Sequence, residues 1–247
     1  MIGHLNLGLA LLKPLLPRNV RLYARETNVV STMLAHHPKS MLWRTAYRWL
    51  YRRFDAVICQ SDRMRVELVE EFNLEVEQAQ IIRNPVDVER VRILAAEPLR
   101  GETWRPDVVR LVAVGRLSYE KGLDLLLEAI ALLDTLSVEV LVLGDGPMRT
   151  DLERQTHSLE LTDRVRFLGF VPNPYQYIAR ADALVLCSRF EAFPNVVLES
   201  LACGTPVIAT PATGGIQDIA PTQPGITLAA AIDGASLARA LAEFPFS

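Results

Sequence analysis

The sequence predicts an α/β protein built on a doubly wound parallel sheet, and three observations carry that reading. From about residue 108, short apolar runs alternate with helical patterns: "VVRLVAVG", "VEVLVLG", "RVRFLGF", "ADALVLCS", "TPVIAT" and "GITLA" are separated by "LDLLLEAIALL", "MRTDLERQTHSL", "PYQYIARA", "NVVLESLAC" and "GIQDIA". The runs are nearly all apolar rather than alternating, as expected of strands covered by helices on both faces. Three of them end at a glycine (Gly115, Gly144, Gly169), where a βα unit turns and where ligands gather at the carboxyl ends of parallel strands.

Earlier in the chain the same grammar is thinner. "VRLYA" and "DAVICQS" read as strands, with helices near 39–53 and 62–72 and then "AQIIRNPVD". That is too few strands for a complete doubly wound domain. The expected division is a partial N-terminal domain over 1–95 and a near-complete C-terminal domain over 96–247, hinged in "ILAAEPLRGETWRPDVV" at 93–109.

With 247 residues, 50% hydrophobic and 22% charged, the chain is long enough for one large core or two modest ones. Its three cysteines (Cys59, Cys187, Cys203) are widely spaced and lack a CxxC pair, so they read as buried free thiols of a reducing compartment. The His36–His37 pair has no acidic or cysteine neighbour, and no metal site is expected. "LNLGLALLKPLL" is broken by Lys13 and Pro14 too early to span a membrane, and it lacks the basic start and cleavage site of a secretory signal. The chain is therefore read as cytoplasmic.

Candidate chemistry sits at the strand ends. After "VAVG", Arg116 and Lys121 follow five residues apart and Gly122 opens a helix. Two cations beside a helix N-terminus suit a doubly charged group such as a diphosphate, which Arg can hold bidentately. A solubilising surface loop explains the same residues. "LVLGDGP" places Gly144 and Gly146 in a tight turn, which a plain βα connection also explains. The segment 167–171 near Gly169 could face a planar base. In "SRFEAFPNVVLESLACGTPVIAT", Glu191 falls in a loop at the carboxyl edge and Glu199 on the helix that Pro194 starts. A carboxylate there can accept two hydroxyls, and sugars offer vicinal diols. Taken singly, Glu191 reads equally as a cap and Glu199 as a solvated helix residue.

"GRLSYEKG", "GDGP", "RVRFLGFVPNPY" and "SRFEAFPNVVLESLACGTPVIAT", in this order, resemble the donor half of the retaining family 4 glycosyltransferases of GT-B fold. "YRRFDAVICQSDRMRVELVEEF" and "IIRNPVD" look like the latter part of that family's acceptor domain, in the branch that builds bacterial envelope polysaccharide and lipopolysaccharide. The resemblance implies that Arg116 and Lys121 hold a nucleotide sugar's diphosphate beside Gly115 and Gly144. It implies that Glu199 binds the ribose hydroxyls, and that Phe170 and Val171 frame the base. Glu191 would contact the donor sugar, helped by the backbone around Phe193, Pro194 and Asn195. The implied donor is a UDP-hexose or UDP-N-acetylhexosamine, and the implied acceptor a saccharide or a lipid-linked glycan. No divalent metal or other cofactor is implied. The resemblance also implies that the chain enters the acceptor domain after its first strands and stops before the family's long final helix. Thr27 stands where that family often has a histidine.

Residues 1–53 hold nine Lys or Arg and one acid, Glu26, a net of +8 in a chain of net charge −3. Arg44, Arg48 and Arg52 recur every four residues, with Arg53 next to them, while Trp43, Tyr47, Leu50 and Phe54 form a neighbouring stripe that reads as core. The arginines could form a solvated face or dock peripherally on anionic lipid at the inner face of the cell membrane. No nucleic-acid motif accompanies them. Two other functions fit parts of the pattern: a module that holds a nucleotide sugar or a partner chain without turnover, and a nucleotide-sugar epimerase. A dinucleotide oxidoreductase does not fit, because no GxGxxG follows the first strand of either half.

Overall fold

The computed structural model describes residues 2–35, 39–99, 104–134 and 136–246; the His36–His37 pair and residues 100–103 of the expected hinge lie outside them. The chain forms two compact units. The first comprises Met1–Asn84 with Glu191–Phe193 and Thr213–Asp218; the second comprises Pro85–Phe190, Pro194–Ala212 and Ile219–Ser247.

The first unit runs α1 (Ile2–Leu12), β1 (Tyr23–Arg25), α2 (Val30–Ala35), α3 (Ser40–Leu50), β2 (Ala56–Cys59), α4 (Asp62–Glu70) and β3 (Ala79–Ile81). Its sheet is parallel, in the order β1-β2-β3, with Ala24 opposite Val57 and Ile58 opposite Gln80. The aromatic stripe of α3 is core as expected: Tyr47 and Phe54 are buried, joined by Tyr51, Phe72, Met64 and Leu68. Two carboxylates are also buried here. Glu67 accepts from the backbone N–H of Val30 (2.8 Å) and Ser31 (2.7 Å), so a side chain of α4 caps the start of α2. Glu26, just past β1, accepts from Asn6 Nδ2 at 3.2 Å and from the Tyr51 hydroxyl. Burial pushes the Glu26 carboxyl up to about 7.

The arginines proposed for lipid are engaged inside this unit. Arg44 pairs with Glu71 at 2.6 Å and lies 5.5 Å from the Phe72 ring centroid. Arg48 and Arg52 donate to the carbonyls of Glu71 (2.9 Å) and Asn73 (3.1 Å), and Arg53 to that of Ala10 (3.2 Å). They tie α3 to the end of α4 and to α1. No helix among the described residues is long and apolar enough to cross a membrane.

The second unit begins with α5 (Val88–Ala96) and continues β4 (Val109–Val114), α6 (Leu123–Ala131), β5 (Val138–Leu143), α7 (Arg149–Ser158), β6 (Val165–Gly169), α8 (Tyr175–Ile178) and β7 (Ala183–Leu186). After β8 (Phe190–Glu191) come α9 (Asn195–Ala202), β9 (Val207–Ala209), β10 (Thr213–Gly214), α10 (Gly215–Ile219), β11 (Ile226–Leu228) and α11 (Gly234–Glu243); of these, Glu191, β10 and α10 as far as Asp218 group with the first unit. Six strands form one sheet in the order β11-β9-β7-β4-β5-β6, every neighbour parallel. They are the six apolar runs read from the sequence. Leu111, Val140, Val142, Val185 and Ile208 face helical residues such as Leu126, Ile130 and Leu241 in one core. β8 and β10 pair in a separate two-stranded sheet that the sequence did not announce.

The division falls after Asn84, eleven residues before the boundary at 95 read from the sequence. The reason is α5, which packs on α8 and α9. Asn173 Nδ2 donates to the Leu94 carbonyl at 2.9 Å, Arg180 to that of Ala95 at 3.2 Å, and Arg92 Nε to that of Ala202 at 3.3 Å.

Candidate functional site

Sheet order in the second unit locates the site. The chain starts at β4, adds β5 and β6 on one side, then returns to lay β7, β9 and β11 on the other. The strand order reverses beside β4, and the crevice at the carboxyl ends of the strands there is where open α/β sheets take ligands.

A cleft of about 430 Å³ opens at these ends, between the loop after β4 (Gly115, Arg116), the loop after β5 (Gly144, Asp145) and the segment after β6 (Phe170, Val171, Pro172, Pro174). Gly144 has φ +135°, and a Cβ on it would lie 1.9 Å from the Gly115 carbonyl oxygen. The glycine is therefore needed for two loops to close on each other, rather than for a ligand to approach. Arg116 is exposed at the rim, and Phe170 stands 80% exposed on the opposite wall, the area a flat ring could cover.

Lys121 reaches back toward the same loop. Its Cε lies 3.7 Å from where a Gly115 Cβ would be. The segment that carries it is fastened to β7 and the residues after it. Gly122 sits at φ +63°, and a Cβ there would meet the Cys187 carbonyl at 2.1 Å; the Cys187 thiol lies 3.2 Å from the Lys121 carbonyl. Arg189 completes the fastening. Its guanidinium grips Asp124 at the start of α6, stacks 4.3 Å from the Tyr119 centroid and donates to the Tyr119 carbonyl at 3.0 Å. Burial opposes ionisation of Asp124, yet the Arg189 guanidinium outweighs it and holds the carboxyl below its usual range.

Glu199 sits half-buried on α9. Burial pushes its carboxyl up, and the nearby Tyr175 hydroxyl works the other way. Pro194 caps the start of α9, and Asn195 is exposed at its first position. The structure thus gathers Gly115, Arg116, Gly144, Phe170 and Val171 in one cleft, sets Lys121 against Gly115, and puts Glu199 beside the residue that follows Pro174. Glu191 and Phe193 group with the first unit, where a Cβ on Gly214 would come 1.8 Å from the Glu191 carbonyl.

Sequence reasoning missed Arg189, Asp124, Tyr175 and Ser188. Ser188 is buried after β7, and its hydroxyl has no hydrogen-bond partner among the described residues. A larger hollow of about 710 Å³ lies at the amino end of β4, by Arg105, Arg110, Arg180 and Asp182. There the cations are already engaged, Arg110 with Asp182 and Arg105 with Glu139. At that end of a parallel sheet such pairs serve the fold. Among the described residues no group of three or more His, Cys, Asp or Glu could hold a metal ion.

Residues 100–244 match the family described as Glycosyl transferases group 1. The chain belongs to this family. Residues 17–90 match Glycosyltransferase Family 4. Among relatives of the chain is the N-acetylgalactosamine-N,N'-diacetylbacillosaminyl-diphospho-undecaprenol 4-alpha-N-acetylgalactosaminyltransferase of Campylobacter jejuni, 29% identical over 85% of this chain and 56% of that protein. Another is the lipopolysaccharide core biosynthesis glycosyltransferase LpsE of Rhizobium meliloti, 32% identical over 66% of this chain and 46% of its own length. The chain spans about half the length of these curated relatives. In fold it is similar to Anabaena HepE solved in complex with UDP, at TM-score 0.75 and 23% identity, covering 96% of this chain and 65% of that one. The GT-B fold class expected from the sequence is thereby shown.

Proposed function

We propose that the chain binds a nucleotide sugar in the cleft of its second unit and transfers the sugar, with retention, to a saccharide or lipid-linked acceptor in cell-envelope glycan synthesis. The observation that carries the proposal is the meeting of Gly115, Arg116, Gly144, Phe170 and Val171 in one cleft at the switch point, with the Lys121 stem against Gly115. Charge, turn and flat apolar wall are what a nucleoside diphosphate requires. The Campylobacter relative is named for an undecaprenol-diphosphate acceptor, which favours a lipid-linked acceptor, and the Anabaena structure holds UDP, which favours a UDP-hexose or UDP-N-acetylhexosamine donor.

Breaking the sugar–phosphate bond develops negative charge on the leaving diphosphate and positive charge on the sugar ring. Arg116 and Lys121, fixed where the diphosphate lies, interact more strongly with the transition state than with the bound donor. In this reading they stabilise the leaving group without a divalent metal. The departing phosphate oxygen takes the acceptor's proton on the face from which it leaves, so no separate base is required. The roles assigned to Glu191, Phe193, Pro194 and Asn195 at the donor sugar rest on the family resemblance alone.

The test pairs calorimetry with UDP and a transfer assay run with and without EDTA. UDP binding with EDTA-insensitive transfer is the expected result, and Arg116→Ala is expected to lower turnover by about 100-fold, as for loss of an oxyanion donor. UDP binding without transfer by the 247-residue chain would favour the donor-holding module. Absence of UDP binding would overturn the proposal.

A further inference from the structure

Among the described residues of the second unit, the buried serine and threonine hydroxyls have acceptors, with Ser188 as the exception. Thr156 donates to the Leu152 carbonyl at 2.8 Å, Ser200 to that of Thr205 at 2.9 Å and Thr205 to that of Ile178 at 2.7 Å. Thr210 donates to the Ser188 carbonyl at 2.6 Å, and Ser118 and Ser236 donate to the carboxylates of Glu120 and Asp233. Ser188 is only 1% exposed, yet its Oγ has no partner among the described residues. A hydroxyl rotates to meet any acceptor in reach, and a buried one left without costs stability. Such an exception in a folded core asks for a reason.

The place of Ser188 supplies one. It follows β7, the strand laid against β4 where the sheet order reverses, with Leu111 opposite Ala183 and Val112 opposite Leu184. At the ends of these two strands lies a hollow of about 20 Å³, bordered by Gly115 after β4, by Cys187 and Ser188 after β7, and by Lys121. The other residues along it are apolar, and its size suits about one oxygen atom with its hydrogens. The backbone on both sides is fastened: Thr210 holds the Ser188 carbonyl, and the Cys187 thiol lies 3.2 Å from that of Lys121. An unspent donor and a cationic side chain thus belong to the walls of one small space. A phosphate oxygen suits both, because it only accepts hydrogen bonds and carries negative charge.

We infer that Ser188 is a third, uncharged donor to the diphosphate of the nucleotide, bonding one of its oxygens at the hollow beside Lys121 and Gly115. The inference rests on the proposed nucleotide site. It adds to the two cations a hydroxyl that the fold leaves unbonded until an anion arrives.

The experiment is titration calorimetry of the full chain with UDP and with uridine, for the unmodified chain and Ser188→Ala, together with melting curves of the free proteins. Ser188→Ala is expected to melt no lower than the unmodified chain, because no hydrogen bond within the fold is lost. Its UDP affinity is expected to fall about 10-fold, the effect of removing a hydrogen bond to a charged group, while its uridine affinity stays the same. Loss confined to UDP supports the inference. Unchanged UDP affinity, whatever the melting temperature, would overturn it and leave the nucleotide site standing, with the hollow serving at most a buried water. Equal loss of UDP and uridine would also overturn it, since the cleft as a whole would then have been disturbed. No UDP binding by the unmodified chain would overturn both the inference and the site. Should Ser188→Ala fail to fold, Ser188→Cys, whose thiol is a weak donor, is judged by the same difference between UDP and uridine.

Discussion

In the second unit the carboxyl end of the central strand presents an exposed guanidinium, Arg116, whereas in the first unit the carboxyl end of β1 presents a carboxylate, Glu26, that is only 3% exposed. Both residues occupy the same place in a parallel βα unit. Around Arg116 the loops are held by glycines and by Arg189, and the charge is left to solvent. Around Glu26 the charge is taken into the core, where Asn6 and Tyr51 meet it. The same position can leave a charge to solvent or take it into the core.

The largest test of this contrast is Gly144→Ala. A Cβ 1.9 Å from the Gly115 carbonyl, at φ +135°, cannot be accommodated without parting the two loops. A cost of about 3 kcal/mol or more is expected in urea melts, together with loss of UDP binding. Normal stability would show that the loops do not depend on each other.

Glu26 supplies the next test. Its folded pKa of about 7 lies above the reference 4.5, so folding takes up a proton. The stability it contributes is fully present below the unfolded pKa and is lost as pH rises through about 7. Glu67, also raised by burial, acts in the same direction. Glu26→Gln keeps the neutral form and is expected to remove much of the fall in Tm toward alkaline pH, gaining about 3 kcal/mol over the parent there. Parallel pH profiles for the two proteins would place the titration elsewhere.

A smaller effect is expected of Asp124→Asn, which takes the carboxylate from Arg189. About 1–2 kcal/mol of stability should be lost, with UDP binding weakened by less than about 10-fold. Unchanged binding would mean that the cation loop is fixed without this pair. The smallest concerns the exposed Arg48, whose Nε donates to the Glu71 carbonyl. Arg48→Ala should shift stability by no more than about 0.5 kcal/mol and leave sedimentation with anionic vesicles unchanged. Abolished vesicle binding would favour the lipid-docking reading of the arginine stripe.

The strands of the second unit were legible because each is a short apolar run bounded by glycine or a polar turn, and Gly115, Arg116 and Gly144 were legible because strand ends place them. Other features depended on partners far away in sequence. Arg189 finds Asp124 across 65 residues, and Arg25 finds Asn84 across 59. Tyr175 heads a helix of four residues, too short to show a face. Glu26 reads as one more surface charge until Asn6 and Tyr51 fold over it. The aromatic stripe of α3 was visible at helical spacing, but the arginine stripe beside it was not decipherable, because carbonyl acceptors at Glu71, Asn73 and Ala10 leave no mark in the sequence.

The close contact between Gly122 and the Cys187 carbonyl has a kinetic meaning. Because the segment bearing Lys121 is seated on the middle of the sheet once the chain folds, its backbone has no slow rearrangement to complete when an anion arrives. Under the proposed function, capture of a nucleotide's diphosphate by this unit is expected to follow encounter rate and ionic strength, in a single phase proportional to nucleotide concentration.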